Sequence, residues 1–312
     1  MSATGPNHAQ PGQPDALAIA FPGQGNKPDA TVGALARFRQ HPLVDAIMTR
    51  CGLTDPSGLD LRDTRIAQPA TYVCGLASAA EMLGQDAAPT AVLGHSLGEL
   101  TALAQAGALD PWDGLALVER RGQICHAQQQ ARPGSMIAVM GTDLAGVEWI
   151  RRTAIAHSGG VLEIAGLNGR RQTVLSGDTH ATQEAVVIAS ALEVLVEVLP
   201  IGGAFHSPLM AEAIGPWRDA VEAVPFKPAT TMVVSAIDAG PHSDPDELRE
   251  LVIRALLLPV RWLDAIRTVR HLGVEHVWDA GPGETLHKLG RREHIVQFVR
   301  LPRPGLELGV QA

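Results

Sequence analysis

The sequence has few cysteines, no dense run of positive charge and no long apolar run, and each shortage excludes a class of protein. Its 3 cysteines lie far apart without Cys-x-x-Cys spacing, so neither a disulfide framework nor a metal site is predicted. A net charge of −8 argues against a nucleic-acid partner. Every apolar run is well short of the ~20 residues that cross a bilayer, so no membrane segment is expected.

The two ends of the chain differ in composition from the rest. Residues 1–15 are polar and rich in proline and glycine, and they lack the apolar core of a signal peptide. We therefore predict a flexible leader at 1–15, a tail at 303–312 and a cytoplasmic location, where the cysteines would stay reduced.

A serine between two glycines is the most informative feature of the sequence. The apolar run before Gly94 predicts a strand, Ser96 follows in the segment Gly94-His-Ser-Leu-Gly98, and a helical pattern begins at Glu99. This is the strand, tight turn and helix that expose a nucleophilic serine. The N-terminus of such a helix favours negative charge developing on a bound substrate. We therefore predict that Ser96 is a nucleophile.

A second glycine-rich loop follows the apolar run at residues 16–21. The segment Pro22-Gly-Gln-Gly25 is followed by a proline at position 28, where a dinucleotide-binding fingerprint needs its third glycine. The loop also lacks the Gly-Lys-Ser/Thr ending of a P-loop, so neither nucleotide-binding motif is predicted. The use that remains is a cradle of backbone N–H groups for an anion or an oxyanion.

An arginine lies within the apolar face of a predicted helix. The helix is expected from the capping residue Asp110 to about residue 130, and helical spacing places Arg121 among apolar side chains. A buried guanidinium is costly unless it meets a carboxylate. Arg121 could bind a carboxylate ligand, or it could reach the surface or pair with Asp113 or Glu119.

The order of predicted elements indicates an α/β fold with an insertion. Residues 132–199 read as β-α-β-β-α-β, which is typical of a ferredoxin-like unit. Residues 16–131 and 200–302 alternate between strands and helices, including helices expected at 67–81 and 245–258, which predicts a parallel sheet. We therefore expect an α/β-hydrolase-like large subdomain with a ferredoxin-like small subdomain inserted at 132–199.

A histidine enters where the chain returns to the larger unit. His206 follows Gly202 and Gly203 and precedes a helix start at Ser207 and Pro208. A loop histidine often serves only as a structural hydrogen-bonding group. Here the glycines permit a close approach to another segment, and the serine elbow needs a base, so His206 is also the candidate general base.

Six short motifs together resemble a known family. In chain order they are Phe21-Pro-Gly-Gln-Gly25, Gly94-His-Ser-Leu-Gly-Glu99, Arg121-Gly-Gln123, Asn168 with Gln172, Gly203-Ala-Phe-His-Ser207 and Gly281-Pro-Gly283. This set is similar to that of the malonyl-CoA:acyl carrier protein acyltransferases of the freestanding fatty-acid and polyketide type. The resemblance covers residues 16–302.

The resemblance implies an acyl transfer in two steps. Ser96 would attack a malonyl-CoA thioester while His206 takes its proton, and a backbone carbonyl within residues 259–262, on Arg261, would orient the histidine. The backbone N–H groups of Gln24 and Leu97 would form the oxyanion hole. The phosphopantetheine thiol of an acyl carrier protein, free or within a synthase, would then take the acyl group. No cofactor is implied, and a monomer is expected.

The resemblance also implies how the substrate and the carrier protein bind. Arg121 would hold the free carboxylate of the extender unit as a bidentate pair, while Leu97 and Phe205 match residues that accompany malonyl in similar enzymes. Further substrate contacts are assigned to His95, Cys125, Asn168 and Phe205. An acidic carrier protein needs a basic docking surface, for which the candidates are Arg170, Arg171, Lys288, Arg291 and Arg292.

Three alternatives remain open from the sequence. The same serine and histidine could pass the acyl group to water, as in hydrolases of this family. Arg121 disfavours this alternative, because a hydrolase that removes short, uncharged acyl groups gains nothing from a residue that binds a carboxylate. The chain could be the acyltransferase subunit of a malonate decarboxylase. It could also be a catalytically silent protein that only docks a carrier protein.

Overall fold

A computed structural model of the chain describes residues 16–84 and 88–300. The predicted leader at 1–15 and tail at 303–312 lie outside these ranges. The strands are β1 (Leu17–Phe21), β2 (Ala91–Gly94), β3 (Gly134–Met140), β4 (Leu162–Gly169), β5 (Gln172–Asp178), β6 (Leu195–Val198), β7 (Met232–Val234), β8 (Pro241–His242), β9 (His276–Asp279) and β10 (Gln297–Arg300).

The helices surround two separate sheets. They are α1 (Pro28–Arg37), α2 (Pro42–Arg50), α3 (Thr64–Leu83), α4 (Gly98–Gln105), α5 (Pro111–Ala131), α6 (Leu144–Ser158), α7 (Thr179–Ala191), α8 (Ile214–Glu222), α9 (Pro245–Arg254), α10 (Trp262–His271) and α11 (Thr285–Glu293). Short 3-10 turns cover Pro56–Gly58 and Pro208–Ala213. The predicted helix start at Ser207 is therefore a 3-10 turn that leads into α8.

The larger sheet carries the two glycine-rich loops at one edge. Its strand order is β10-β9-β1-β2-β7-β8, and every pairing except β7 with β8 is parallel. β1 and β2 are buried along nearly their whole length, as their continuous apolar runs predict. Loops after the carboxyl ends of adjacent parallel strands converge, so the loop after Phe21 and the elbow after Gly94 lie together.

The smaller sheet is antiparallel and has the order β4-β5-β3-β6. Its four strands with α6 and α7 follow the β-α-β-β-α-β order expected from the sequence, and they enclose an apolar core of their own. The predicted α/β class with a ferredoxin-like insertion is confirmed. The subdomain boundaries at 131–132 and 199–200 stay a prediction.

Two helix boundaries differ from expectation, and both affect the site. α3 was expected at 67–81 but begins at Thr64, because the Asp63 side chain caps it by accepting a hydrogen bond from the Arg65 backbone N–H. The helix expected at 245–258 ends at Arg254. The residues after α9 form a turn whose last carbonyl belongs to Leu258, directly before Pro259.

Of the helices in residues 16–84 and 88–300, none combines the length and the apolar character needed to cross a membrane.

Candidate active site

The serine elbow has the strained backbone that its sequence requires. Ser96 lies between β2 and α4 with φ of 55°, in the left-handed region that non-glycine residues rarely adopt. Gly94 and Gly98 touch each other across the turn, and Gly98 also lies against the carbonyl of Phe21, so a Cβ on either glycine would collide with backbone. The turn lifts the Ser96 side chain to a half-exposed position.

His206 reaches Ser96 from a segment about a hundred residues later in the chain. Its Nε2 lies 2.7 Å from Ser96 Oγ, and its Nδ1 lies 2.8 Å from the carbonyl oxygen of Leu258. A carbonyl can only accept, so Nδ1 carries the hydrogen and Nε2 is left to accept the serine proton. The arrangement is that of a nucleophile, a base and a group that orients the base.

The prediction that Arg261 supplies the orienting carbonyl is wrong. That carbonyl belongs to Leu258, because α9 stops at Arg254 and Pro259 turns the chain, so no following helical N–H takes the Leu258 oxygen. The Arg261 N–H instead donates to Ala236 over 2.6 Å, and its guanidinium bonds Asp264. Arg261 thus braces the start of α10.

Burial and charge keep the His206 imidazole neutral. The side chain is buried, and burial, followed by the positive charge of Arg121, lowers the pKa of His206 from 6.5 to about 3. A neutral imidazole is the form that can accept the Ser96 proton.

Two backbone N–H groups are available beside the serine. Gly23 packs so closely on the elbow that an added Cβ would lie 2.9 Å from the His95 carbonyl oxygen. Among the hydrogen bonds of the described residues, the backbone N–H groups of Gln24 and Leu97 have no acceptor. These are the two N–H groups predicted as the oxyanion hole, and the structure leaves both available.

Arg121 is buried without an opposite charge. It is 7% exposed, its Nη1 donates to Gln68 Oε1 over 2.9 Å, and no carboxylate within the described ranges pairs with it. The alternatives of pairing with Asp113 or Glu119 are therefore absent; Glu119 pairs with Arg50 instead. A guanidinium in this state is prepared for an anionic ligand.

Gln68 and Thr64 belong to the site although the sequence analysis did not select them. Both are buried on α3, and Gln68 Nε2 donates to Thr64 Oγ1 over 2.8 Å. Their signal in the sequence is a pair of polar residues four positions apart in a mostly apolar helix, which places them on one face. That signal alone does not separate a ligand site from an internally satisfied hydrogen bond.

Residues 41–291 match the family described as the acyl transferase domain. The chain belongs to this acyltransferase family. The predicted family is thereby confirmed.

Relatives of this acyltransferase include proteins of similar length and much longer proteins. The malonyl CoA-acyl carrier protein transacylase of Escherichia coli K12 is 30% identical, with 88% of this chain and 92% of the relative covered. The polyketide biosynthesis protein ThaF of Burkholderia thailandensis is 34% identical over 88% of this chain, which spans only 24% of ThaF. The crystal structure of the acyl-carrier-protein S-malonyltransferase of Burkholderia pseudomallei superposes with a TM-score of 0.83 at 30% identity, covering 93% and 97% of the two chains.

In this acyltransferase the small sheet reaches the elbow through one side-chain pair. His95 Nε2 lies 2.8 Å from Asn168 Oδ1 at the end of β4, and the His95 ring contacts Trp262. A second link is made by backbone, because Val260 bonds both Ala165 and Leu167 of β4. The loop that orients His206 is therefore hydrogen-bonded to the smaller sheet.

Phe205 and Cys125 are buried beside the site. The Phe205 ring lies over Gly203, where an added Cβ would come within 2.9 Å of it. The Cys125 thiol adjoins Gln68 and Arg121, and burial raises its pKa, so it is an apolar wall rather than a nucleophile.

Four of the five candidate docking residues divide into two groups by the partners that they bond. Arg170 pairs with Glu293 of α11 over 3.0 Å and Lys288 pairs with Glu284 over 3.3 Å, so their charges are locally balanced. Arg171 donates to the Gly141 carbonyl and Arg292 donates to Gln172 Oε1 over 2.7 Å. Within the described residues neither of these two has an ion-pair partner.

Arg291 lies elsewhere, on a surface cavity of about 650 Å³ between α11 and β10. Its neighbours there include His276, His294 and Phe298. The structure therefore brings Arg170, Arg171 and Arg292 together near the end of β4 and leaves Arg291 outside that group.

No cluster of three or more histidine, cysteine, aspartate or glutamate side chains suited to a metal ion is found in residues 16–84 and 88–300.

Proposed function

We propose that this acyltransferase moves a malonyl group from CoA to the phosphopantetheine thiol of an acyl carrier protein through an acyl-Ser96 intermediate. The observation that carries the proposal is the buried Arg121 guanidinium, which has no carboxylate partner in the described residues and is close enough to His206 to lower its pKa. A substrate that brings its own carboxylate satisfies this charge. The name of the Escherichia coli relative supports the same substrate class.

The first half-reaction follows from the atoms present. His206 Nε2 accepts the Ser96 proton as Oγ attacks the thioester carbonyl, and the resulting oxyanion is stabilised by the N–H groups of Gln24 and Leu97. The C–S bond then breaks, and the CoA thiolate takes the proton held by His206. Malonyl remains as an ester on Ser96.

The second half-reaction reverses these steps with another thiol. The carrier's phosphopantetheine thiol gives its proton to His206 and attacks the ester, and Ser96 leaves with that proton. Each step exchanges one acyl bond for another without change of oxidation state, so the proposal requires no cofactor.

We also propose a monomer in the cytoplasm. Ser96, His206 and Arg121 belong to one chain, so a single copy holds the groups that the reaction needs. The free thiols of Cys51, Cys74 and Cys125 fit a reducing compartment.

The carrier protein is proposed to dock at the turn between β4 and β5. Arg171 follows Asn168 by three residues, and Asn168 bonds His95 next to Ser96, so this turn lies close to the acylation site. Arg171 and Arg292 bond only neutral acceptors among the described residues, so they can form ion pairs with the acidic surface of a carrier protein. A prosthetic arm entering there would reach the serine.

The mass of the intact protein tests the proposal. After incubation with malonyl-CoA we expect one malonyl adduct, located on Ser96 by peptide mapping, and its disappearance when a carrier protein that bears phosphopantetheine is added. Release of free malonate without carrier would instead indicate a hydrolase. Absence of any adduct would indicate a silent docking protein and would contradict the proposal.

A further inference from the structure

Four side chains form an unbroken line of hydrogen bonds between Arg121 and the loop beside Ser96. Arg121 donates to Gln68 over 2.9 Å, Gln68 donates to Thr64 over 2.8 Å, and Thr64 donates to Gln24 Oε1 over 2.8 Å. We call these four residues the Arg121 relay. Every donor points the same way, from the cation to the side chain of Gln24.

At Thr64 a single hydroxyl group makes both of that residue's hydrogen bonds in the relay. Its hydroxyl has a single hydrogen, which goes to Gln24, and its oxygen accepts from Gln68. Thr64 is 3% exposed and Gln68 is fully buried, so water cannot readily replace the hydroxyl. Removing it would leave the buried Gln68 N–H without an acceptor, which is costly in a buried network, and would leave the half-buried Gln24 Oε1 without its donor.

The relay ends at Gln24, the residue whose backbone N–H is proposed to stabilise the oxyanion. The side chain of Gln24 is held by Thr64, while its backbone N–H has no acceptor among the described residues and is the group proposed for the oxyanion hole. The same loop is held on another side by Asn26, whose amide donates to the Gly23 carbonyl over 3.2 Å. Thr64 is therefore the contact that connects the loop to the arginine side of the site.

We propose that Thr64 is a positioning residue that couples carboxylate binding at Arg121 to the placement of the Gln24 N–H. When a free carboxylate binds Arg121, the guanidinium is fixed, and through Gln68 and Thr64 the oxyanion loop is fixed with it. An acyl group without a carboxylate gains less from this coupling. Thr64 thus contributes to the preference for charged acyl groups without touching them. This inference rests on the proposed role of Arg121.

The test replaces the hydroxyl at constant volume. Thr64→Val removes both hydrogen bonds, Thr64→Ser keeps them, and Thr71→Val is the matched control because Thr71 is also buried on α3 but outside the relay. The rate of Ser96 acylation is measured by mass spectrometry with malonyl-CoA and with acetyl-CoA. Circular dichroism and the melting temperature confirm that each variant is folded.

We expect Thr64→Val to lower the malonyl-to-acetyl rate ratio by about tenfold, with Thr64→Ser and Thr71→Val close to the original protein. In an Arg121→Ala background, Thr64→Val should change the ratio less than twofold, because the coupling has already been lost. An unchanged ratio in Thr64→Val, or effects of the two substitutions that simply multiply, would overturn the inference. If Arg121→Ala itself left the ratio unchanged, the proposed substrate would be wrong as well.

Discussion

The Ser96–His206 pair and the Arg121 relay form two sides of one site, and they are held in place by different means. Ser96 and His206 have φ of 55° and 58°, and the orienting group for the histidine is the backbone carbonyl of Leu258. The relay is instead fixed by side chains alone, through Gln68 and Thr64. The reacting atoms are positioned by backbone, whereas the charge that selects the substrate is positioned by side chains.

This difference separates activity from selectivity. A strained backbone turn persists only where the surrounding packing determines it, so a side-chain substitution removes a reacting group but does not move it. A series of hydrogen-bonded side chains, in contrast, can be interrupted, or its charge removed, by a single substitution. The comparison therefore predicts that substitutions at the pair abolish the reaction and that substitutions in the relay change which acyl group reacts.

The largest effects are expected at the pair. Ser96→Ala should leave no malonyl adduct, because no other nucleophile occupies the elbow. His206→Ala should slow acylation by about a thousandfold, since proton transfer by a positioned base is worth 10²–10⁴-fold. Both are measured by intact mass over time with malonyl-CoA.

The control for this prediction is His157→Ala, which removes a surface histidine beside Glu184. It should acylate at the original rate. A malonyl adduct that forms normally in Ser96→Ala would place the nucleophile elsewhere and would end the distinction between the two sides.

The next largest effect is expected at Arg121. Removing one partner of a buried charged pair costs about 2–5 kcal/mol, so Arg121→Ala should reduce the preference for malonyl-CoA over acetyl-CoA by about a hundredfold. The rate with acetyl-CoA should fall much less or rise. The measurement is the ratio of acylation rates in a mixture of the two thioesters.

Arg120→Ala offers a matched control on the same helix, because Arg120 is exposed and, among the residues that the structure describes, bonds only Gln123. Its preference should be that of the original protein. If Arg121→Ala lowered both rates equally, Arg121 would act in catalysis and not in selection, and the two sides would not be separable.

Sequence reasoning could locate the groups whose signals are local. The Ser96 elbow is determined by Gly94 and Gly98 within five residues, and the ferredoxin-like order follows from successive apolar patterns. Arg121 was recognisable because a charge stood on an apolar helical face. Each of these signals lies within one turn or one helix.

The remaining groups depend on contacts that no short stretch contains. The carbonyl that orients His206 depends on where α9 ends, and the helix was expected to continue to Leu258 when it stops at Arg254. Thr64 and Gln68 join the site only because α3 crosses beside α5 and the loop of Gln24. The sequence does not show which groups a polar residue on a buried helix contacts.

Glu99, a buried side chain next to the elbow, is expected to affect stability and not the choice of acyl group. Burial raises the pKa of Glu99 to about 7, and its carboxylate accepts from the Ala236 N–H. An acid with a raised pKa in the folded state stabilises most below its unfolded pKa of 4.5, and that stability is lost as pH rises toward 7. Glu99→Gln should remove this loss, gaining at most about 3 kcal/mol at pH 8.

Urea unfolding at pH 5 and pH 8 measures this effect. The original protein should lose more stability between the two pH values than Glu99→Gln does. Some loss should persist in the variant, because burial also raises the pKa of Asp279 to about 7. Equal losses in both proteins would show that Glu99 is not the buried acid responsible.

The smallest expected change is in the pH dependence of acylation, and it connects the two sides. Because burial and then Arg121 lower the pKa of His206 to about 3, the base is neutral throughout the range and the rate should vary less than twofold between pH 6 and pH 8. A rate that halves near pH 6.5 would contradict this.

In Arg121→Ala the loss of positive charge should raise the His206 pKa, while burial still holds it below 6.5. As the pH is lowered, the acylation rate of Arg121→Ala should therefore begin to fall at a higher pH than that of the original protein. A decline at the same pH in both proteins would mean that the relay acts on the pair through position alone and not through charge.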